Sequence, residues 1–238
     1  MTDGNNNINE IDIDEGEKID LSLSSIPQKE FTNLTEDKIK AMKLIEASVR
    51  LQFKALNRAY GLDLSDNNLT DTPQRIAKML ILEKMIGINS ESTCAELLSK
   101  NFQKTKKSDL DQMIIVANPA TAYSICPHHF ENVMYEVYMA YVPTDNVVGL
   151  SKFSRIISLY ARQPLLQEDY TDGLTEIIDD ALKPKGVIVV VKGKHNCMIT
   201  RGANSNPEQW IITSSVKGVF KNESTFKEEF LSLCKLRG

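Results

Sequence analysis

From Thr35 onward, apolar residues recur every three or four positions. Ile39, Met42, Ile45, Val49, Phe53, Leu56 and Tyr60 fall on one stripe, the period of a helix with a single buried face. Thr35 stands before the stripe as an N-cap and Gly61 closes it. A second helix is expected from Thr72 and Pro73, a cap followed by proline at the first helical position, through to about Gly87. Arg75 and Lys78 lie three apart and share a face of it. Residues 93–102 read as a short helix and residues 104–107 as a Lys-rich linker.

Beyond the linker the pattern changes. Residues 113–116 and 133–142 are rich in Val, Ile, Tyr and Met and read as strands. Ser151 opens a helix with Lys152 and Arg155 on one side and Ile156, Ile157 and Tyr160 toward the core, limited by Pro164. A helix over residues 171–182 carries Leu174, Ile177, Ile178 and Ala181 as its stripe. The unbroken run from Val187 to Val191 fits a strand buried on both faces. Residues 210–216 supply a fourth strand and residues 224–236 a final helix. This order predicts an α+β fold: an antiparallel four-stranded sheet with helices packed on one side, preceded by an N-terminal helical region. The expected divisions are a tail over residues 1–33, a helical region over 34–103 and a catalytic domain over 104–238.

Residues 1–33 are rich in Asn, Asp, Glu and Ser without a sustained period, the composition of a disordered tail. Residues 1–25 carry seven acidic side chains against one basic, so the net charge of −4 conceals a remainder near +2. That balance suits a small anionic substrate and is too weak for a nucleic-acid surface. No apolar run approaches the ~18 residues that a membrane span needs. The first twenty residues show neither a basic nor an apolar leader segment, and four unevenly spaced cysteines suit a reducing cytoplasm.

The candidate chemistry is concentrated. Of three histidines and four cysteines, five residues fall in two short segments, Cys126-Pro127-His128-His129 and His195-Asn196-Cys197. Cys126 and His129 have the spacing by which one turn brings a thiolate and an imidazole to the same ion, and Cys197 arrives 68 residues later. Three ligands without an obvious fourth point to a catalytic zinc with an open water position. His195 and Cys197, two apart in an extended segment, are expected to face the same pocket. His128 and His195 are then acid/base candidates. Cys94 and Cys234 lack such company and read as core or surface thiols.

With these residues the chain resembles the GTP cyclohydrolase I family, of the tunnelling fold (T-fold). The similarity rests on Thr72 to Met79, on Cys126-Pro127-His128-His129, on Val148 to Lys152 with Arg155, on Gln167-Glu168, on His195 to Met198 with Arg201-Gly202, and on Gly218-Val219-Phe220. Enzymes of this family open the imidazole ring of GTP with water, release C8 as formate and close a new ring to give 7,8-dihydroneopterin triphosphate. The resemblance implies zinc on Cys126, His129 and Cys197, with a bound water whose pKa is lowered. It implies proton transfer by His195 near the opening ring, and by His128 with Ser151 at the ribose. Glu168 would read the guanine N1-H and 2-amino group, with Gln167 and Leu150 beside it. Lys152, Arg155, Arg201, Arg75 and Lys78 would bind the triphosphate. A homo-oligomer, usually a decamer with sites between subunits, is also implied.

The match has departures. Pro127 stands where the family has Glu, Asp169-Tyr170 where Arg-Leu is common, and Leu165 where Gln is usual. The alternative expectation is a homologue that binds a purine nucleotide with altered specificity or without turnover.

Overall fold

The apolar stripe begun at Thr35 forms α1 (Glu36–Tyr60), and both of its expected ends are present. Thr35 accepts a hydrogen bond from the Lys38 amide, and Gly61, at φ 73°, donates its amide to the Asn57 carbonyl at 2.8 Å. Only glycine takes that left-handed conformation without a Cβ penalty. In this computed structural model, which describes residues 10–14, 17–20, 34–103 and 114–235, the chain divides into two compact units, Met1–Glu83 and Lys84–Gly238.

In the first unit, β1 (Glu10–Asp14) and β2 (Glu17–Asp20) pair antiparallel. The rest of the segment read as a tail lies outside the described residues. α2 (Thr72–Met79) starts one residue earlier than expected, so Asp71 occupies the cap and Thr72 the first helical position. Met42 of α1 and Ala77 of α2 are buried together with Leu34, Ile45 and Ile81 packed around them. A π-helical turn, Leu80–Lys84, follows.

The second unit holds α3 (Glu91–Ser99), β3 (Asn101–Gln103), β4 (Ile114–Ile125), β5 (Asn132–Val142), β6 (Asn146–Val148), α4 (Ser151–Ala161), α5 (Gln167–Leu182), β7 (Gly186–His195), α6 (Asn196–Ile199), β8 (Ile211–Gly218), α7 (Val219–Asn222) and α8 (Ser224–Lys235). Its main sheet is four-stranded in the order β4-β5-β7-β8, antiparallel throughout, as the sequence predicts. Two short strands that the sequence did not announce, β3 and β6, pair separately. The Lys-rich linker and Met113 lie outside the described residues.

Alternation along β5 and β7 builds the core. Val133, Tyr135, Val137, Met139, Tyr141, Val187, Val189 and Val191 turn to one face, where α3, α4 and α5 cover them. Ala140, Val142 and Ile188 turn to the other and meet Phe220 and Phe230 near the C-terminus. The helices thus gather mainly on one side, and α8 adds a smaller apolar cluster on the reverse. α3, expected with the N-terminal helices, buries Cys94 and Leu98 in this second core. Leu174 is fully buried there. Leu174→Ala is expected to cost roughly 2–5 kcal/mol through lost burial and a residual cavity, measured as a shift in the urea unfolding midpoint.

Two elements are longer than their sequence signals. β4 continues through Asn118-Pro119 to Ile125 with a register shift between Val116 and Ala120. An edge strand tolerates proline because one side of it needs no ladder donor. α5 begins at Gln167 rather than near Thr171, with Glu168 and Asp169 in its first turn, where the helix dipole favours negative charge. Among the described residues, no helix is long and apolar enough to cross a membrane.

Candidate active site

Strand register brings the two metal-capable segments together. Val133 of β5 lies opposite Ser124 of β4 on one side and His195 of β7 on the other. Cys126 and Cys197 each follow two residues past those partners, so both thiols emerge at the same end of the sheet. The turn after β4 is closed by its own backbone. The Cys126 amide donates to the Glu131 carbonyl at 2.8 Å, and the Phe130 amide donates to the Cys126 carbonyl at 2.9 Å. Phe130 adopts φ 57°, a strained value for a non-glycine residue, at the point where the turn reverses.

Ligand atoms of Cys126, His129 and Cys197 lie within 4.8 Å of one another, and Cys126 Sγ is 3.8 Å from His129 Nδ1. Donors on one tetrahedral zinc stand roughly 3.5–3.8 Å apart, given ligand bonds of ~2.0–2.3 Å. The set therefore fits a metal with little adjustment. Both cysteines are buried and His129 is exposed, so the group is walled by protein on one side and open on the other. Burial, then the neighbouring Cys126, raises the Cys197 thiol above its ordinary pKa, and Arg201 opposes that shift. His128 Nδ1 is 3.9 Å from Cys126 Sγ, and Arg201 donates to His129 Nε2.

His195 is the last residue of β7, whereas Cys197 lies on the helical turn α6. The expected extended arrangement of these two is thus corrected. A change from strand to helix after His195, not a shared strand face, aims Cys197 at Cys126. Burial lowers the His195 pKa and the charge of Glu168 partly restores it, so Glu168 lies within electrostatic reach of the ring.

The early start of α5 splits the Gln167-Glu168 pair. Consecutive helical residues point about 100° apart: Gln167 is 3 % exposed while Glu168 faces solvent. Gln167 spends its amide inside the chain. Its Nε2 lies within 3.2 Å of Val191 O, Ile211 O and Thr213 Oγ1, and its Oε1 is 2.8 Å from His195 Nε2. Ser151 opens α4 in an exposed position beside Leu150. Lys152 turns to the Lys100 carbonyl, at the end of α3, while Arg155 is exposed on the same helix. Arg75 and Lys78 belong to α2 of the first unit, where Arg75 pairs with Asp71 at 3.3 Å.

Two residues of this region escaped the sequence reading. Tyr135 is fully buried, stacked on Tyr170 with ring centroids 4.9 Å apart, and meets the His195 ring edge-on at 6.4 Å. Its hydroxyl has no well-formed hydrogen-bond partner among the described residues, and burial raises its pKa. Gly193 lies opposite Tyr135 in the β5–β7 ladder. A glycine inside a strand signals close approach by another group, and that was the signal available for it.

Two cysteine thiols and an imidazole, gathered at the end of an antiparallel sheet in an α+β fold with two more histidines alongside, form a group that could hold a metal ion. The chain belongs to the GTP cyclohydrolase I family, whose sequence profile matches residues 49–235. GTP cyclohydrolase 1 of Gloeobacter violaceus is 37 % identical over 176 residues, covering 73 % of this chain and 77 % of that protein. That of Geobacillus kaustophilus is 35 % identical over 192 residues, covering 80 % and 95 %. That of Clostridium perfringens is 33 % identical over 189 residues, covering 79 % and 97 %. Among solved structures, the apo archaeosine synthase QueF-Like aligns with a TM-score of 0.37 at 19 % identity, over 47 % of this chain and 97 % of that one. That likeness is too slight to carry an argument.

Proposed function

We propose that this chain is a GTP cyclohydrolase I that opens the imidazole ring of GTP, releases formate and yields 7,8-dihydroneopterin triphosphate, the entry to pterin synthesis. The observation that carries this reading is the convergence of Cys126, His129 and Cys197 beside His128 and His195, in a chain of this family. Zinc is the metal that suits two thiolates and an imidazole. When bound, it supplies a water acidified toward neutral pH, which is the nucleophile that ring opening needs.

The protein's own groups do the rest. His195, kept neutral by burial, accepts and returns a proton at the imidazole portion of the purine. His128 and Ser151 move protons at the ribose, and Leu150 packs on the base. Glu168 accepts from the guanine N1-H and 2-amino group as a bidentate pair. Arg155 and Arg201, with Lys152 released from the Lys100 carbonyl, take up phosphate charge, and Arg75 and Lys78 are proposed as further phosphate ligands on the family resemblance alone. Among the described residues, the outer strands β4 and β8 each have one unpaired edge. Such edges can pair between subunits, and a cytoplasmic homo-oligomer, a decamer with sites at subunit boundaries, is proposed on the family resemblance.

A second reading is favoured by Pro127, which offers neither a carboxylate nor an amide proton at its place in the metal-ligand turn. In that reading the protein binds a purine nucleotide without completing the reaction. Incubation of zinc-loaded protein with GTP separates the two. Formate, and neopterin fluorescence after oxidation, are expected; binding of GTP with neither product, metal content confirmed, selects the second reading. Removal of the metal by a chelator is expected to abolish product formation, and zinc is expected to restore it.

A further inference from the structure

We infer that Gln167 is a positioning residue that holds His195 in one tautomer, with the ring proton on Nε2, and that Gly193 is the gap through which it reaches. The amide orientation decides this. Backbone carbonyls only accept, so the Gln167 NH2 group must face Val191 O and Ile211 O, at 3.2 and 3.0 Å. The oxygen is then turned to His195 Nε2 at 2.8 Å and accepts there. A ring nitrogen facing an acceptor carries the proton, which leaves Nδ1 as the acceptor of a neutral imidazole.

The surroundings hold the pair in this arrangement. Thr171 donates to the Gln167 carbonyl at 2.7 Å and meets Thr213 at 2.6 Å, tying the first turn of α5 to β8. A Cβ at Gly193 would collide with Gln167 Oε1 and stand 3.1 Å from His195 Nε2. The Tyr135 ring closes another side of the imidazole at 6.4 Å. Gln167 is therefore assigned to the histidine rather than to the base, and Glu168 reads guanine without it. The catalytic consequence rests on the proposed role of His195 in proton transfer; the tautomer itself does not.

The test is solid-state 15N NMR of zinc-loaded protein carrying 15N-histidine, with the His195 signals identified by their loss in His195→Gln. Wild type is expected to show Nε2–H at His195. Gln167→Met, similar in length but without hydrogen-bonding groups, should give a mixture of tautomers. Gly193→Ala, whose Cβ would push the Gln167 amide away from the ring, should do the same although the glutamine itself is retained. Gln167→Glu keeps an acceptor for Nε2–H and should retain the wild-type signature. For turnover of GTP, Gln167→Met is expected to lower kcat by roughly 10–100-fold with KM nearly unchanged, and Gln167→Glu to recover part of it. Nδ1–H at His195 in wild type, or an unaltered tautomer in Gln167→Met, overturns the inference. A raised KM with kcat intact overturns it too, returning Gln167 to the substrate. Wild type with the expected tautomer but no formate rejects the proposed function and leaves this inference standing.

Discussion

Cys197→Ala is expected to strip the metal and abolish formate release, while the sheet stays folded. The side chain lies at the protein-walled side of the ligand group, 6 % exposed. Neither remaining thiol belongs to the ligand group: Cys94 packs in the core against the helices and Cys234 stands against the reverse cluster. Loss of an outer-shell partner to a metal ligand costs roughly 10–100-fold in affinity or activity, and loss of a direct ligand from a set of three costs more. Metal content per chain, circular dichroism and formate yield decide the matter together. Cys94→Ala and Cys234→Ala should keep full metal content. A Cys197→Ala protein that still holds stoichiometric zinc would remove this residue from the site.

The same thiol sets the sign of a pH effect. Burial and the adjacent Cys126 raise its pKa, so in the metal-free protein it holds its proton at neutral pH. Metal uptake must expel that proton, and affinity should therefore rise as pH rises and fall as pH is lowered. Titration of a chelator-buffered metal at several pH values measures this slope. A slope of opposite sign would contradict thiolate ligation.

The second large effect is expected at Glu168. It stands on the outer side of the first turn of α5, exposed, with no ligand atom in the metal group. Glu168→Ala should keep its zinc and its fold yet lose guanine. Once the base covers this carboxylate, a site built to pair two donors rejects analogues that lack one by roughly 10⁴–10⁵-fold, because polar groups buried in the complex are left unpaired. Wild type should accordingly prefer GTP strongly over inosine triphosphate, which lacks the 2-amino group. Glu168→Ala should lower kcat/KM for GTP by roughly 10⁴-fold and erase most of that preference. Retention of the preference would assign base reading to another residue.

Much of this molecule was legible in residue types and spacing. The α1 helix, the Val187–Val191 run buried on both faces and the four-stranded α+β order are local patterns that the folded chain keeps. The α1 stripe, however, is buried only around Met42 and Val49 and leaves Leu56 and Tyr60 exposed. The metal-capable group was legible for a different reason. Cysteine and histidine are scarce here, and their confinement to two segments survives any arrangement of the backbone between them.

Other features had no local signal. Asn118-Pro119 reads as a break, and only pairing with β5 carries β4 past it to Ile125. Gln167 and Glu168 look equivalent as neighbours in a string. They part company because α5 begins beneath them, which sends Gln167 under the sheet to His195 and Glu168 to solvent. Amino-acid identity alone settles which side chains can hold a metal, carry protons or pair with guanine, since those are properties of single groups. Which of them meet, in which tautomer and at which face, is decided by strand register and helix phase. Those follow from burial summed over the whole chain, and no short segment contains that sum.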